Sequence, residues 1–315
     1  MQNSKIPLLT IVGPTAVGKT SLAIEIARHL KGEIISLDSR QIYTGMAIGT
    51  AQPTIAEMAV VPHHLVAFRS PDQKITAGEF SELVAAVVED IRLRGNQPIL
   101  CGGAGLYYRA IAKGIFSASD SDLEIRARLE EEYATSGPDA LMRRLEQLDP
   151  IYAAQVHPNN RKRLIRALEI YEITGQAPSE HFDQQSDKKY PFNLFTVLLT
   201  RTMEDLEWRI RQRIAEMLSD GWIAETSRLL KYRRDGSFHA MDSIGYRQIM
   251  DYLDKKIDYS EMVDLIVLKT RQYAKRQLTW FRQESIDLEL DLSGDSNLTD
   301  YTDKTIAEFM KLTVQ

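Results

Sequence analysis

The residues with the clearest chemical potential lie near the start of the chain and match the pattern GxxxxGK[ST]. They are Gly13, Pro14, Thr15, Ala16, Val17, Gly18, Lys19 and Thr20. In this pattern a glycine-bearing loop turns its backbone N–H groups toward a polyphosphate, the lysine reaches the outer phosphates, and the last hydroxyl binds Mg²⁺. The segment therefore predicts a diphosphate or triphosphate site, with Thr20 as a magnesium ligand.

A second polar segment, Asp38, Ser39, Arg40 and Gln41, follows one predicted strand later. Ligand sites of parallel sheets gather at the carboxyl ends of strands, so the Asp38 carboxylate is expected to face the phosphate site. There it could bind Mg²⁺ or accept a proton from an incoming nucleophile. The alternative is a turn or helix-capping aspartate. We favour the functional role, in a group transfer at the polyphosphate.

Weaker candidates lie elsewhere. Arg209 and Arg213 are four residues apart on a predicted helix, and either could clamp a leaving diphosphate, but the spacing alone favours an exposed helix face. The glycine loop from 102 to 105 could admit a ligand or form a tight turn. Cys101 lies in an apolar run and is predicted to be a buried thiol without a catalytic role.

The elements that must position these residues alternate between strand and helix over the first hundred residues. This alternation predicts an α/β fold, a P-loop NTPase-like core with a parallel sheet and a helical insertion domain. Strands are predicted over 8–12, 33–37, 97–101 and 192–199, and core helices over 21–30, 78–94, 203–220, 223–232, 246–254 and 260–281. The loops that carry the P-loop, Asp38 and the glycine loop should therefore meet in one crevice.

The pattern of predicted elements changes at about residue 117, where charged helical segments follow one another without an intervening strand. Helices are predicted over 122–133, 138–148 and 161–174. We assign residues 1–116 to the first part of the core, 117–191 to a helical insertion, and 192–315 to the second part of the core. That second part is mostly helical and carries an acidic stretch from 287 to 303.

Composition narrows the class of protein. Hydrophobic residues make up 43% of the chain and charged residues 26%, as in globular proteins, and no segment is apolar enough to span a membrane. The net charge of −5 argues against nucleic acid when taken alone. Basic stretches at 161–166 and 269–282 suit a phosphate-rich partner, although solvated helix faces are an equal alternative. A single cysteine and the lack of a signal-like start favour a cytoplasmic protein.

The order of motifs resembles the bacterial tRNA dimethylallyltransferases over about Leu9 to Phe281. Besides the P-loop and the Asp38 segment, the resemblance is carried by Gly49-Thr50-Ala51-Gln52-Pro53, Pro62-His63-His64-Leu65, Gly102-Gly103-Ala104-Gly105-Leu106-Tyr107, His157-Pro158-Asn159, Arg166-Ala167-Leu168-Glu169, Gly245-Tyr246-Arg247-Gln248 and the run from Thr270 to Trp280. The family usually has Thr where this chain has Ala104, and Asp where it has Asn160.

The resemblance implies transfer of a dimethylallyl group from dimethylallyl diphosphate to N6 of an adenosine in the tRNA anticodon stem-loop. That adenosine is 3′-adjacent to the anticodon in tRNAs that read codons beginning with U. The resemblance also implies Mg²⁺ as cofactor and a P-loop that holds the diphosphate of the isoprenoid. We expect a monomer without an obligatory protein partner and without a membrane association.

The resemblance also assigns roles to individual residues. Asp38 is expected to be the general base, and Lys19, Thr20 and Arg213 are expected to bind the leaving diphosphate. The residues expected to contact tRNA are Asp38, Ser39, Arg40, Gln41, Ala104, Arg126, Lys162, Arg163, Leu164, Ile165 and Arg166. The P-loop from Gly13 to Thr20 is expected to hold the diphosphate.

Three alternatives remain open at this point. A relative that prenylates free adenine nucleotides would not need a basic helical insertion. A P-loop nucleotide kinase would need an arginine-rich lid, which the sequence does not suggest. A non-catalytic RNA-binding switch driven by nucleotide would leave Asp38 without a role.

Overall fold

The structure, a computed structural model, describes residues 6–114, 122–180, 192–231, 239–294 and 297–313. Within these residues a six-stranded sheet has the order β3-β2-β4-β1-β5-β6, and every strand pair in it is parallel. Its strands are β1 Ile6–Val12, β2 Gly32–Leu37, β3 His63–His64, β4 Gln97–Gly102, β5 Phe192–Thr200 and β6 Leu288–Asp291. The predicted α/β fold with a parallel sheet is confirmed.

The central strand β1 explains why the sheet forms around the start of the chain. Its residues Leu8, Leu9 and Ile11 are fully buried, as expected of a strand covered by helices on both faces. On one side Leu9 pairs with Ile99 of β4, and on the other Ile6 pairs with Phe192 of β5. The carboxyl end of β1 is thereby held between two strands from distant parts of the chain.

The nine predicted helices lie close to their predicted bounds, and four further helices in the described residues were not predicted. The helices are α1 Lys19–Leu30, α2 Ile55–Val60, α3 Ala77–Leu93, α4 Gly105–Lys113, α5 Leu123–Ser136, α6 Pro138–Leu148, α7 Pro150–Ala153, α8 Arg161–Thr174, α9 Met203–Ser219, α10 Trp222–Lys231, α11 Tyr246–Leu253, α12 Tyr259–Phe281 and α13 Leu298–Thr313. In the described part of the chain, no helix combines the length and hydropathy that a membrane span requires.

The chain divides into two compact units, one of residues 1–112 with 191–315 and one of residues 113–190. The first unit holds the sheet, and the second holds α5 to α8. The second unit has its own core, in which Leu129, Leu141, Leu145, Leu164 and Ile165 are fully buried. The domain boundaries predicted at residues 116–117 and 191 fall within segments outside the described residues.

The acidic stretch near the end of the chain is built into the core, which the sequence did not predict. Strand β6 extends the sheet beside β5, and α13 packs against α1. Phe309 is buried and meets Phe195 with ring centroids 5.8 Å apart. The acidic side chains Glu289 and Asp303 remain exposed. In this segment exposed acidic residues alternate with buried apolar ones. The prediction from sequence classified the segment by its acidic charge and so missed its apolar residues.

Candidate active site

Three loops meet at the carboxyl edge of the sheet because the strands before them, β2, β4 and β1, are neighbours. A cavity of about 600 Å³ opens there. Its lining includes Gly18, Lys19 and Thr20 of the P-loop, Asp38 after β2, and Gly102 at the end of β4. The predicted single crevice is confirmed.

Two glycines give the P-loop its path from β1 into α1. Gly13 has φ +150°, and a Cβ at this position would lie 2.6 Å from the Leu199 carbonyl oxygen of β5. Gly18 has φ +112° and directly precedes Lys19, the first residue of α1. Side chains rarely adopt such left-handed conformations, so the loop depends on glycine at these places. The amino end of α1 then faces the cavity, where it favours an anion.

Lys19 folds back onto its own loop. Its Nζ donates hydrogen bonds to the carbonyl oxygens of Gly13 at 3.0 Å and Pro14 at 2.7 Å. Burial, together with the charge of Arg213, lowers the pKa of Lys19 to about 8, although Cys101 and Asp38 act in the opposite direction. An anion in the cavity would favour the charged ammonium, which is the form that binds phosphate.

Arg201, which directly follows β5, and two arginines of α9 form hydrogen bonds with the P-loop. Arg201 Nε donates to the Val17 carbonyl at 2.9 Å, and Arg209 Nε donates to the Ala16 carbonyl at 2.8 Å. Arg213, one turn farther along α9, donates from a terminal nitrogen to Thr15 Oγ1 at 3.4 Å. The prediction from spacing alone, that Arg209 and Arg213 lie on an exposed helix face, is therefore wrong, because α9 packs beside the P-loop.

Asp38 both forms a turn and lines the cavity. Its Oδ1 accepts hydrogen bonds from the backbone N–H groups of Arg40 at 2.7 Å and Gln41 at 3.3 Å, which makes a turn. The same carboxylate borders the cavity. The turn thus fixes the direction in which Asp38 presents its second oxygen.

The residues after Asp38 are held by neighbouring loops. One terminal nitrogen of Arg40 donates to the His239 carbonyl at 3.0 Å. Gln41 Oε1 accepts from Ser36 Oγ at 2.9 Å, and its Nε2 donates to the Ala51 carbonyl at 2.8 Å. Arg40 and Gln41 therefore organise the rim of the cavity in the free protein.

A second, smaller cavity of about 320 Å³ adjoins the first and has an apolar wall. The sequence did not reveal this wall, because its helical spacing on α9 is also typical of a core stripe. The apolar side chains are Ile210, Ile214, Met217, Trp222 and Ile244. The residues that line both cavities include Asp38, Arg213 and Tyr273. Both the carboxylate and the guanidinium thus stand where the polar and apolar spaces join.

Tyr273 of α12 lines both cavities. Burial raises the pKa of its hydroxyl, and the charge of Asp38 raises it further, so the phenol is neutral at physiological pH. It borders the two cavities as a neutral phenol.

Two other predicted residues lie at the same edge of the sheet. Cys101 of β4 is buried, as predicted, and burial raises the pKa of its thiol to about 12. Such a thiol is a poor nucleophile. Ala104, in the loop that follows β4, is half-buried, and its backbone N–H donates to the Leu37 carbonyl at 3.1 Å.

The remaining residues expected to contact tRNA belong to the helical unit. Lys162 and Arg163 are exposed on the first turn of α8, and Arg126 on α5 is half-buried. Arg166 pairs with the buried Glu169 at 2.9 Å. Leu164 and Ile165 are fully buried in the core of this unit. The prediction that these two side chains contact RNA is therefore wrong, because the apolar face of α8 packs into the core of this unit.

Comparisons with known proteins agree on one family. The IPP transferase family model matches residues 41–284. The tRNA dimethylallyltransferase of Symbiobacterium thermophilum is 43% identical over 291 residues, which are 92% of this chain and 91% of the relative. That of Geobacillus kaustophilus is 44% identical over 275 residues, 87% of each chain.

Solved structures give the same result. The crystal structure of the full-length tRNA isopentenylpyrophosphate transferase from Bacillus halodurans matches with a TM-score of 0.71 at 36% identity and covers 98% of both chains. A eukaryotic dimethylallyltransferase acting on tRNA matches with a TM-score of 0.83 at 27% identity, over 97% of this chain and 80% of its own. The chain therefore belongs to the IPP transferase family, as its motifs predicted.

Proposed function

We propose that this chain is a tRNA dimethylallyltransferase. It transfers a dimethylallyl group from dimethylallyl diphosphate to N6 of the adenosine 3′-adjacent to the anticodon, in tRNAs that read codons beginning with U, and releases diphosphate. The reaction would take place in the cytoplasm, where tRNA is available. Family membership supports prenyl transfer to tRNA, and the arrangement of the two cavities supports the chemistry.

The observation that carries this proposal is the junction of a phosphate-binding cavity with an apolar one. Dimethylallyl diphosphate has a charged end and an apolar end, joined at the carbon that reacts. With the diphosphate in the P-loop, the apolar group would lie against Ile210, Ile214 and Met217. The reacting carbon would then lie at the junction that Asp38 and Arg213 line.

The leaving group is diphosphate, and it must carry the electron pair of the broken C–O bond. Negative charge therefore develops on the diphosphate. The backbone N–H groups of the P-loop, Lys19 and Arg213 supply positive charge at that place. Burial lowers the pKa of Arg213. The guanidinium nevertheless remains a cation, because arginine is very basic. A preorganised cation of this kind stabilises the transition state without reorganising water.

Asp38 is proposed to be the general base. The C–N bond forms between N6 of adenosine and the first carbon of the dimethylallyl group as the C–O bond to diphosphate breaks. The amino nitrogen becomes positive in this step, and one of its protons passes to the Asp38 carboxylate. One oxygen of Asp38 already accepts two backbone N–H groups, so the other is the acceptor for the proton.

Mg²⁺ is proposed as the cofactor, and the oxygen donors at the cavity fit it. Mg²⁺ usually keeps several waters and binds through few protein oxygens together with substrate phosphates. The Thr20 hydroxyl lines the cavity that would hold the substrate phosphates, whereas no group of three His, Cys, Asp or Glu side chains among the described residues could form a protein cage. When bound, the ion would neutralise charge on the diphosphate.

An adenosine in an anticodon loop must leave its stack to reach such a cavity, which costs a few kcal/mol. Basic side chains that hold the neighbouring phosphates can compensate this cost. Lys162 and Arg163 are exposed and suited to such contacts, and Arg126 and Arg166 are proposed to assist them. At the cavity rim, Ser39, Arg40, Gln41 and Ala104 are proposed to contact the tRNA.

The test is an incubation of the purified protein with Mg²⁺, labelled dimethylallyl diphosphate and an unmodified tRNA whose anticodon reads a codon beginning with U. A parallel reaction contains AMP in place of tRNA. We expect label in the tRNA alone, on N6 of the adenosine beside the anticodon. Label in AMP would instead identify an adenylate prenyltransferase, and ATP hydrolysis without any transfer would refute prenyl transfer altogether.

A further inference from the structure

Gln277 of α12 joins two of the loops that form the cavity. Its side chain is almost completely buried, and its Oε1 accepts a hydrogen bond from the Thr15 backbone N–H at 2.9 Å. Its Nε2 donates to the Gly103 carbonyl at 2.9 Å. One amide therefore bonds the P-loop after β1 to the glycine loop after β4.

The connection continues to the residue before Asp38. The backbone N–H groups of Gly103 and Ala104 both donate to the Leu37 carbonyl at 3.1 Å. A Cβ at Gly103 would lie 2.2 Å from Gln277 Nε2, so only glycine allows this approach. A hydrogen-bonded path thus runs from Thr15 through Gln277 and Gly103 to Leu37, whose neighbour is Asp38.

The chemistry of the two contacts requires an amide. The group that faces Thr15 must accept a hydrogen bond, and the group that faces Gly103 must donate one. A carboxylate supplies only acceptors, and an apolar side chain supplies neither. The position therefore specifies Gln over its isostere Glu.

We propose that Gln277 is a positioning residue that sets the P-loop, and hence the bound diphosphate, relative to Asp38. This inference rests on the proposed function, since it concerns the alignment of the same leaving group and base. Gln277 acts through Thr15 and the glycine loop, and it exchanges no proton in the reaction. A small misplacement of reacting groups can cost about a hundredfold in rate, which makes such a link consequential.

The test compares Gln277→Met with Gln272→Met. Methionine is unbranched and similar in length, so it fills the space of Gln277 without either hydrogen bond. Gln272 lies on the same helix but is exposed, which makes it the matched control. The measurements are the single-turnover rate of transfer, KM for dimethylallyl diphosphate, the dissociation constant of inorganic diphosphate with Mg²⁺, and amide hydrogen exchange.

We expect Gln277→Met to lower the single-turnover rate at least tenfold. KM for dimethylallyl diphosphate and the dissociation constant of inorganic diphosphate should stay within threefold, because the P-loop itself remains folded. Amide exchange in the peptides that contain Thr15 and Gly103 should become faster. Gln272→Met should resemble the wild type in all four measurements.

A Gln277→Met rate within twofold of wild type would overturn the inference. Loss of inorganic diphosphate binding in parallel with the rate would also overturn it, because it would show that Gln277 only maintains the P-loop fold. Gln277→Glu provides a second check: it keeps the bond to Thr15 but cannot donate to Gly103, and the same loss of rate is expected. A wild-type chain without transfer would refute the proposed function, whereas hydrogen exchange would still decide whether Gln277 links the two loops.

Discussion

Replacement of Asp38 by asparagine separates its proposed role as a base from its role in a turn. Asparagine keeps one side-chain oxygen, which can still accept the N–H groups of Arg40 and Gln41 that Oδ1 accepts in this structure. The other oxygen becomes an NH₂ group, which cannot take a proton. The variant should therefore fold and bind both substrates normally while losing the general base.

The size of the effect follows from these two roles. A positioned general base contributes about a hundredfold to ten-thousandfold in rate, which corresponds to about 2.7–5.4 kcal/mol in activation free energy. Asp38→Ala removes the base and also the acceptor for two backbone N–H groups. At about 0.5–1.5 kcal/mol for each hydrogen bond, Asp38→Ala should additionally lower the free energy of unfolding by about 1–3 kcal/mol. Asp38→Asn should leave that free energy nearly unchanged.

The assay is a single-turnover transfer of labelled dimethylallyl groups with enzyme in excess over tRNA, because this rate excludes product release. Tight binding of tRNA is measured separately by filter retention. Asp242→Asn is the matched control, since Asp242 lines the apolar cavity but is largely exposed and pairs with Arg247 at 3.3 Å. An Asp38→Asn rate within threefold of wild type would refute the assignment of Asp38 as the base.

Three further predictions test other parts of the molecule. Arg213→Gln should lower kcat about a hundredfold because it removes a cation that binds the leaving group. Arg211→Gln, on the exposed side of α9, should lower kcat less than about twofold, and equal effects of the two substitutions would contradict the role of Arg213 in binding the leaving group. Met217→Trp should fill the apolar cavity and raise KM for dimethylallyl diphosphate at least tenfold; weaker inhibition by inorganic diphosphate would instead indicate a distorted P-loop. Burial raises the pKa of Glu33, but hydrogen bonds from Arg94, Asn96 and His64 lower it overall from 4.5 to about 2. The ionised Glu33 therefore stabilises the folded protein fully above about pH 4.5, and this stabilisation is lost as the pH falls toward 2. Glu33→Gln should therefore lower the free energy of unfolding at pH 7 by about 2 kcal/mol, with a smaller difference at pH 3 in chemical denaturation, and an unchanged difference would contradict it.

The sequence predicted the polar half of the site because that half is local. The P-loop spacing, the strand before it and the helix after it are contiguous, and Asp38 follows its strand directly. Parallel strands place their carboxyl ends at one edge, so the convergence of these loops follows from local patterns. The expected order of elements was accurate for the same reason.

The apolar half could not be predicted, because it depends on how distant helices pack. Ile210 and Ile214 have the spacing of a core stripe, and only the packing of α9 shows that they line a cavity. Arg209 is similarly ambiguous until its contact with the Ala16 carbonyl is known. Gln277 is far from Thr15 in the sequence, and no local pattern indicates their hydrogen bond. The acidic stretch concealed β6 and α13 because its charges lie on the outer faces.

The places of β6 in the sheet and of α13 against α1 have a consequence for synthesis of the protein. The P-loop leaves the ribosome before β6 and α13 are translated, yet β6 flanks β5 and α13 packs against α1. Domains tend to fold as units, so the phosphate cradle acquires its full support only after residue 313 has been translated. A prematurely terminated chain would therefore carry an intact GxxxxGK[ST] sequence without a stable cradle for phosphate groups.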